Sequence, residues 1–500
     1  MELDLTNFLR YSAYGILLVY ISCLLLIFVY SLTQLNMLRY FLKYKNKKKT
    51  IPAFPKTLPK VTVQLPIFNE YYVVERLLRC ITALDYPKEL LQIQVLDDST
   101  DETLELTGRL VKAYQKKGVP IELVTRERRT GFKAGALKHG LQFATGEFIA
   151  LFDADFIPPS DWLYKTIPYF CDTKIGMVQT RWGHLNRSHS LLTEVQAFAL
   201  DAHFVLEQIG RNQQNHFINF NGTAGIWRKI CILDAGNWEG DTLTEDLDLS
   251  YRAQLKHWKF QYLDEVVSPA ELPITINAIR SQQFRWNKGG AENFRKIFRK
   301  VWKTKGHSFS TKINAFFHLL NSSMFLNVLV VSLLSVPLLF FKKAYPELNP
   351  LFDLSALFVL STLIFFICYW YVHKHLFGGG LNSFLKYIKR FFGFYSLAMG
   401  FSLHNSVAVI EGHLGKKSPF IRTPKFNENT DHKQLQKFKY ALNKSSYFSF
   451  LELLVAFYFL FGMGAAFFVG SEGDFGFFVF QLFLFYGFAS ISYYGIKGQT

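Results

Sequence analysis

The sequence predicts an α/β domain, a mostly parallel sheet with helices on both faces, joined to an α-helical transmembrane region. Three observations predict it. From residue 60 to about residue 270, short apolar runs alternate with helical patterns, as parallel strands with crossover helices require. Charge-poor runs long enough to cross a bilayer lie on either side of that region. Basic residues gather beside those runs, in 39–49, 295–312 and 416–444, as they do on the cytoplasmic face of a membrane.

The 500 residues are too many for one compact domain. The 52 phenylalanines and the 17% aromatic content suit membrane segments and their interfaces. A formal charge of +17 raises nucleic acid as a partner, but the placement of the basic residues favours a lipid bilayer instead. Cys23, Cys80, Cys171, Cys231 and Cys368 form no Cys-x-x-Cys pair, so neither a disulfide framework nor a zinc site is expected.

No charged residue lies between Arg10 and Arg39, and residues 14–35 are long enough to span. Basic residues 43–49 follow where a cleaved signal peptide would carry small residues, so 1–38 reads as a retained anchor. A basic, proline-containing linker (39–59) leads to the cytosolic domain, 60–292. Its expected strands are 61–66, 93–96, 121–124 and 148–152, and its expected helices 71–83, 101–116 and 132–144, with Ser99 or Thr100 as a possible cap of the second. A further helix is expected over 242–257. An amphipathic interface helix (293–312), a transmembrane hairpin (313–377) and a second interface helix (384–411) come next. Residues 391–410 are apolar enough to span, but spanning would place the basic stretch after them outside, against the positive-inside tendency. A cytosolic basic loop (412–447) and a last hairpin (448–497) bring the expected spans to five.

Ligands of open α/β sheets bind beyond the carboxyl ends of the strands. Three expected ends carry polar clusters: Asn69-Glu70, Asp97-Asp98 and Asp153-Ala154-Asp155. On a strand, Asp153 and Asp155 project to one side, where two carboxylates repel unless a cation lies between them. Hard oxygen donors of this kind suit Mg²⁺ or Mn²⁺. The bland alternative is a loop whose acids cap the following helix. Lys133 at a helix start opposes the dipole unless an anion binds nearby. Glu245 and Asp246 sit in a first turn, where acids are ordinary dipole partners. Gln282, Arg285 and Trp286 share one helical face, which an interfacial helix would also explain. No Gly-x-Gly-x-x-Gly or Gly-x-x-x-x-Gly-Lys-Ser/Thr occurs, which argues against a Rossmann dehydrogenase and a P-loop enzyme.

In this order, Asp98, Asp153-Ala154-Asp155, Thr244-Glu245-Asp246 and Gln282-Gln283-Phe284-Arg285-Trp286 resemble the motifs of the processive family 2 membrane glycosyltransferases, the cellulose synthase superfamily. Val63-Gln64-Leu65-Pro66, Phe132-Lys133-Ala134-Gly135-Ala136-Leu137 and the stretches 220–227 and 241–252 look closest to the cellulose synthase-like A and C proteins, which make mannan or glucan backbones. The resemblance implies a GT-A-type domain that transfers a hexose, with inversion, from a nucleotide-sugar donor (GDP-mannose or UDP-glucose) to the growing end of a β-linked polysaccharide extruded through the membrane. It further implies that Asp98, Lys133, Asp153, Asp155 and Arg285 bind the donor, Asp153 and Asp155 with Mg²⁺ or Mn²⁺. Asp246 would be the general base. Asn221, Gly222, Thr223, Glu245, Gln282 and Trp286 would bind the acceptor, and Arg422, Thr423 and Lys425 would belong to a gating loop. Two other functions fit parts of the pattern: transfer of one sugar to a membrane lipid, and a transporter or receptor with a degenerate nucleotide-binding domain. The expected location is a bacterial inner or plasma membrane, or the Golgi in a eukaryote, with the catalytic domain cytoplasmic.

Overall fold

The computed structural model describes residues 2–45, 52–418, 421–423, 425, 447–469 and 475–497. Most of the expected basic loop 412–447 and the turn 471–474 lie outside the described residues.

Seven strands form one sheet: β1 (Val61–Ile67), β2 (Leu91–Asp97), β3 (Ile121–Val124), β4 (Phe148–Leu151), β5 (Ile175–His184), β6 (Gly225–Arg228) and β7 (Lys259–Ala270). Their order is β3-β2-β1-β4-β6-β5-β7. All neighbours pair in parallel except β6, which runs antiparallel to both β4 and β5. The central strands are buried on both faces, as a covered parallel sheet demands. Thr62 and Gln64 are polar inside β1, and cross-strand bonds tie them to β2: Thr62 hydroxyl donates to Gln92 and Gln64 Nε2 to Gln94, and Gln92 and Gln94 both donate to Glu122 on β3.

Helices α2 (Val74–Thr82) and α3 (Thr103–Lys116) pack on one face of the sheet through Val74, Leu77, Leu78, Ile81 and Val111. Helix α4 (Phe132–Phe143) packs on the other face. That second core also takes in Met37, Leu38 and Phe41 from the long N-terminal helix α1 (Glu2–Lys45), and Cys368 and Val372 from helix Val359–Phe377. Two membrane-type helices therefore supply part of the domain core. Phe41 is 1% exposed there. Phe41→Ala is expected to destabilise the protein by about 3 kcal/mol, read as a lower melting temperature in detergent. Unchanged melting would mean the anchor is not part of that core.

Several helix starts differ from the sequence reading. Helix α2 begins at Val74 rather than residue 71, because the chain turns at Asn69, whose φ is +56°, and Glu70 carbonyl accepts from Val73 and Val74. Neither Ser99 nor Thr100 caps α3: Glu102 holds the N-cap position without a side-chain bond, and the Asp101 carboxylate just before it accepts from Thr103 N–H at 2.9 Å. Ser99 and Thr100 instead bond Asn69 and tie the ends of β1 and β2 together. The expected helix over 242–257 is confined to Glu245–Leu255.

Among the described residues, five helices are long and apolar enough to cross a membrane: Asn7–Lys45, Phe309–Ala344, Pro346–Phe377, Tyr447–Phe468 and Gly476–Lys497. Helices Leu381–Gly400 and Ser402–Leu414 are not among them, and Ile276–Lys303 runs unbroken through residue 292.

Candidate active site

Beyond the carboxyl ends of β1, β2 and β4 opens a cavity of about 240 Å³. Every residue to which the resemblance assigns a donor, acceptor, base or gating role lines it except Thr223. Strand β4 stops at Leu151, so Asp153 and Asp155 stand on the turn after the strand, and strand alternation does not account for their common side. They meet in the cavity because the turn folds back at the sheet edge, where Phe156 N–H bonds Asp153 carbonyl. Neither caps a helix. Asp153 pairs with Lys133 at 2.6 Å, and Asp155 pairs with Lys425. Lys133, the unfavourable cation at a helix start, thus has its anion within the chain. Burial lowers its pKa, but Asp153, Glu245 and Asp246 outweigh burial and hold it above its ordinary value.

The loop Asn221-Gly222-Thr223 stitches the centre together. Gly222 carbonyl accepts from Lys133 at 2.9 Å, and Thr223 hydroxyl accepts Asp153 N–H at 2.8 Å. Thr223 is fully buried behind the cavity, so it supports Asp153 rather than facing a ligand. Gly222 has φ +81°, and a Cβ there would lie 3.1 Å from Asp246 Oδ2. Burial and the neighbouring Glu245 push Asp246 up to about 7, and burial raises Glu245 as well.

Helix Ile276–Lys303 fixes both of its own motif and the Thr244-Glu245-Asp246 segment. Asn293 donates to Thr244 carbonyl and hydroxyl, and Glu292 accepts Leu243 N–H at 2.8 Å. Gly289 allows this approach, since a Cβ there would sit 2.5 Å from Thr244 Oγ1. One and two turns earlier on the same helix, Trp286, Arg285 and Gln282 face the cavity. Arg422, Thr423 and Lys425 line the cavity as well. Arg422 forks onto Glu70 at 2.9 and 3.2 Å, and Thr423 hydroxyl accepts from Arg285 at 2.7 Å.

Sequence reading missed several contributors. Arg126 clamps both oxygens of Asp98, and the Arg129 guanidinium lies 3.4 Å from the centroid of the Phe68 ring, beside the same end of the cavity. Their signal was four residues, Arg126-Glu127-Arg128-Arg129, just past an expected strand end. Trp182, His184 and His189 line the opposite end. No short motif announces them, because β5 and the turn after it reach the cavity through the sheet order alone.

The fold and the cavity define a GT-A-type glycosyltransferase domain carried with membrane-type helices. Residues 59–289 match the family described as glycosyltransferase like family 2, in line with the resemblance its motifs carry. Among curated proteins the likeness is to glucomannan 4-beta-mannosyltransferases. The chain is 41% identical over 265 residues to glucomannan 4-beta-mannosyltransferase 1 of Oryza sativa subsp. japonica, covering 52% of this chain and 51% of that protein. It is 39% identical over 280 residues to glucomannan 4-beta-mannosyltransferase 9 of Arabidopsis thaliana, covering 55% and 52%. The chain thus spans about half the length of these curated relatives. Among solved structures, the mannosyltransferase PcManGT of Pyrobaculum calidifontis, in complex with GDP-Man and Mn²⁺, shares the fold. Its TM-score is 0.54 at 18% identity, over 80% of this chain and 100% of that one.

Proposed function

We propose that the chain is an inverting hexosyltransferase that moves mannose from GDP-mannose to the growing end of a β-linked mannan or glucomannan. UDP-glucose is the competing donor. The observation that carries this reading is the convergence of Asp246, Asp153, Asp155 and Arg285 on one cavity at the carboxyl edge of the sheet. The names of the relatives favour mannose over glucose.

A nucleotide diphosphate is already a good leaving group, so transfer needs its charge neutralised and one base for the acceptor hydroxyl. Asp246 is that base, its carboxyl tuned near neutrality. Arg285, Lys133 and Lys425 supply positive charge at the diphosphate. A single base acting opposite the leaving group gives a β-linkage from an α-linked donor. Trp286 offers a flat face for a sugar ring. Asp153 and Asp155 suit a divalent cation: both are hard oxygen donors facing one cavity, and two lysine ammonium groups stand against them. Mg²⁺ or Mn²⁺ bound there would add Lewis-acid neutralisation of the diphosphate.

Extrusion of the product belongs to the same reading, and polar side chains of the membrane-type helices that such a path would use are engaged within the chain. His318 bonds Tyr251, Asn321 accepts from Tyr30, and Asn327 donates to Ser323 carbonyl. Polymer recovered outside proteoliposomes that receive donor only from the opposite side would support extrusion.

The test is detergent-purified protein with Mg²⁺ or Mn²⁺ and a donor panel. Nucleotide release from GDP-mannose, with a product cut by a β-mannanase, is expected. Release from no donor would overturn the enzyme reading, and a single sugar on lipid would overturn the polymer.

A further inference from the structure

Between helices Leu191–Asp201 and Ile209–Gln213 the chain winds as a π-helix over Ala202–Gln208. Such turns are rare and concentrate at functional sites. The i→i+5 winding brings residues four and five apart to one side, so His203 and Gln208 reach the same partner, Asn221. Gln208 Nε2 donates to Asn221 Oδ1 at 2.6 Å, Asn221 Nδ2 lies 2.9 Å from His203 Nε2, and His203 Nδ1 lies 3.1 Å from Glu207 Oε2.

The direction of this chain of bonds is fixed at both ends. Gln208 Nε2 also donates to Asn219 carbonyl, which only accepts. The amide of Gln208 is therefore set, and with it that of Asn221, whose NH₂ must face His203. At the far end the Glu207 carboxylate only accepts. His203 is accordingly neutral, with its proton on Nδ1 and its Nε2 lone pair on Asn221. Glu207 is itself held from two other sides, by Arg211 at 3.1 Å and by Gln34 of helix α1 at 3.0 Å. Both polar groups of the Asn221 side chain are thus bonded within the chain. Its position at the cavity wall makes it an anchor for the loop, with Gly222 on Lys133 and Thr223 on Asp153 next in line.

We propose that His203, held by Glu207, is a positioning residue for sugar transfer, fixing Asn221 and thereby the loop that seats Lys133, Asp153 and Asp246. The inference rests on the proposed transferase activity. Helix α1 enters the same network through Gln34, so the membrane anchor bears on the geometry of the reacting centre.

The experiment compares kcat and donor KM in full-length variants. His203→Ala is expected to lower kcat by about 100-fold, the scale of a small misplacement, with donor KM within about twofold. Asn221→Ala should behave alike, and the double variant should be no worse than either single one, because they break the same chain. His203→Gln should recover most of the rate, since its amide donates to Glu207 and accepts from Asn221. Glu207→Gln keeps the volume but sets an NH₂ against surrounding donors, so it should repeat the kcat loss even where His203→Ala does not fold. Unchanged kcat in Glu207→Gln, multiplied losses in the double variant, or no rescue by Gln would overturn the proposal. A wild-type protein inactive with every donor would instead overturn the transferase reading beneath it.

Discussion

Replacing Asp246 with Asn is expected to lower kcat by about 10³-fold while donor KM stays within about twofold. The acceptor hydroxyl loses its proton as it attacks, and Asp246 is the group proposed to take it. Asn keeps the shape and its place beside Gly222 but accepts no proton. With the carboxyl pushed up to about 7, kcat of the wild-type protein should rise with pH through that value and level off above it. The residual rate of the variant should lack that rise.

Stability should move the opposite way. The carboxyl sits above its ordinary value of 3.8, so the fold favours its protonated form. That contribution is complete below 3.8 and is lost as pH climbs through about 7. Asn, neutral throughout, should melt with the wild type under acid conditions and above it under alkaline conditions. Melting scans across this range check it. A variant that stays active, or that loses stability at alkaline pH, would remove Asp246 from the role of base.

Strands β1 to β4 were legible in the sequence because they read as short apolar runs closed by polar ends, whereas β5, β6 and β7 were not read as strands. The run before Asp153 and the Leu96-Asp97-Asp98 end announce their strands that way. What escaped depends on contacts between distant segments. Thr223 looked like a ligand-facing residue beside Asn221 and Gly222, yet it is fully buried and its hydroxyl accepts from Asp153 N–H, a contact between segments 70 residues apart. Arg126 and Arg129 are ordinary surface-type residues until the β3–α4 connection folds them onto Asp98 and Phe68. The pairing of β5 with β7 and β6 rather than with β4 brings Trp182 and His184 to the cavity. No periodicity within β5 itself carries that information. Asp153 and Asp155 are the instructive case, since their convergence was inferred from strand alternation, whereas a turn produces it.

Asp155→Ala and Lys425→Ala should change metal binding in opposite directions, and this pair separates a metal clamp from a merely structural ion pair. Asp155 is 4% exposed and its carboxylate bonds Lys425, which also lines the cavity. A divalent cation at Asp153 and Asp155 and the ammonium of Lys425 draw on the same carboxylate. Removing Asp155 takes away a ligand and should weaken Mn²⁺ binding, measured with nucleoside diphosphate present, by about 100-fold or more. Removing the ammonium leaves the carboxylate free, and the affinity for Mn²⁺ alone should rise by about fivefold, the ~1 kcal/mol of a partly exposed ion pair. With nucleotide present the Lys425 variant should lose that gain, because the same ammonium is proposed to face the diphosphate. If both substitutions weaken Mn²⁺ binding equally, the pair holds residues 421–425 in place and nothing more. If neither changes it, the cation binds elsewhere and the two aspartates act on the donor without it.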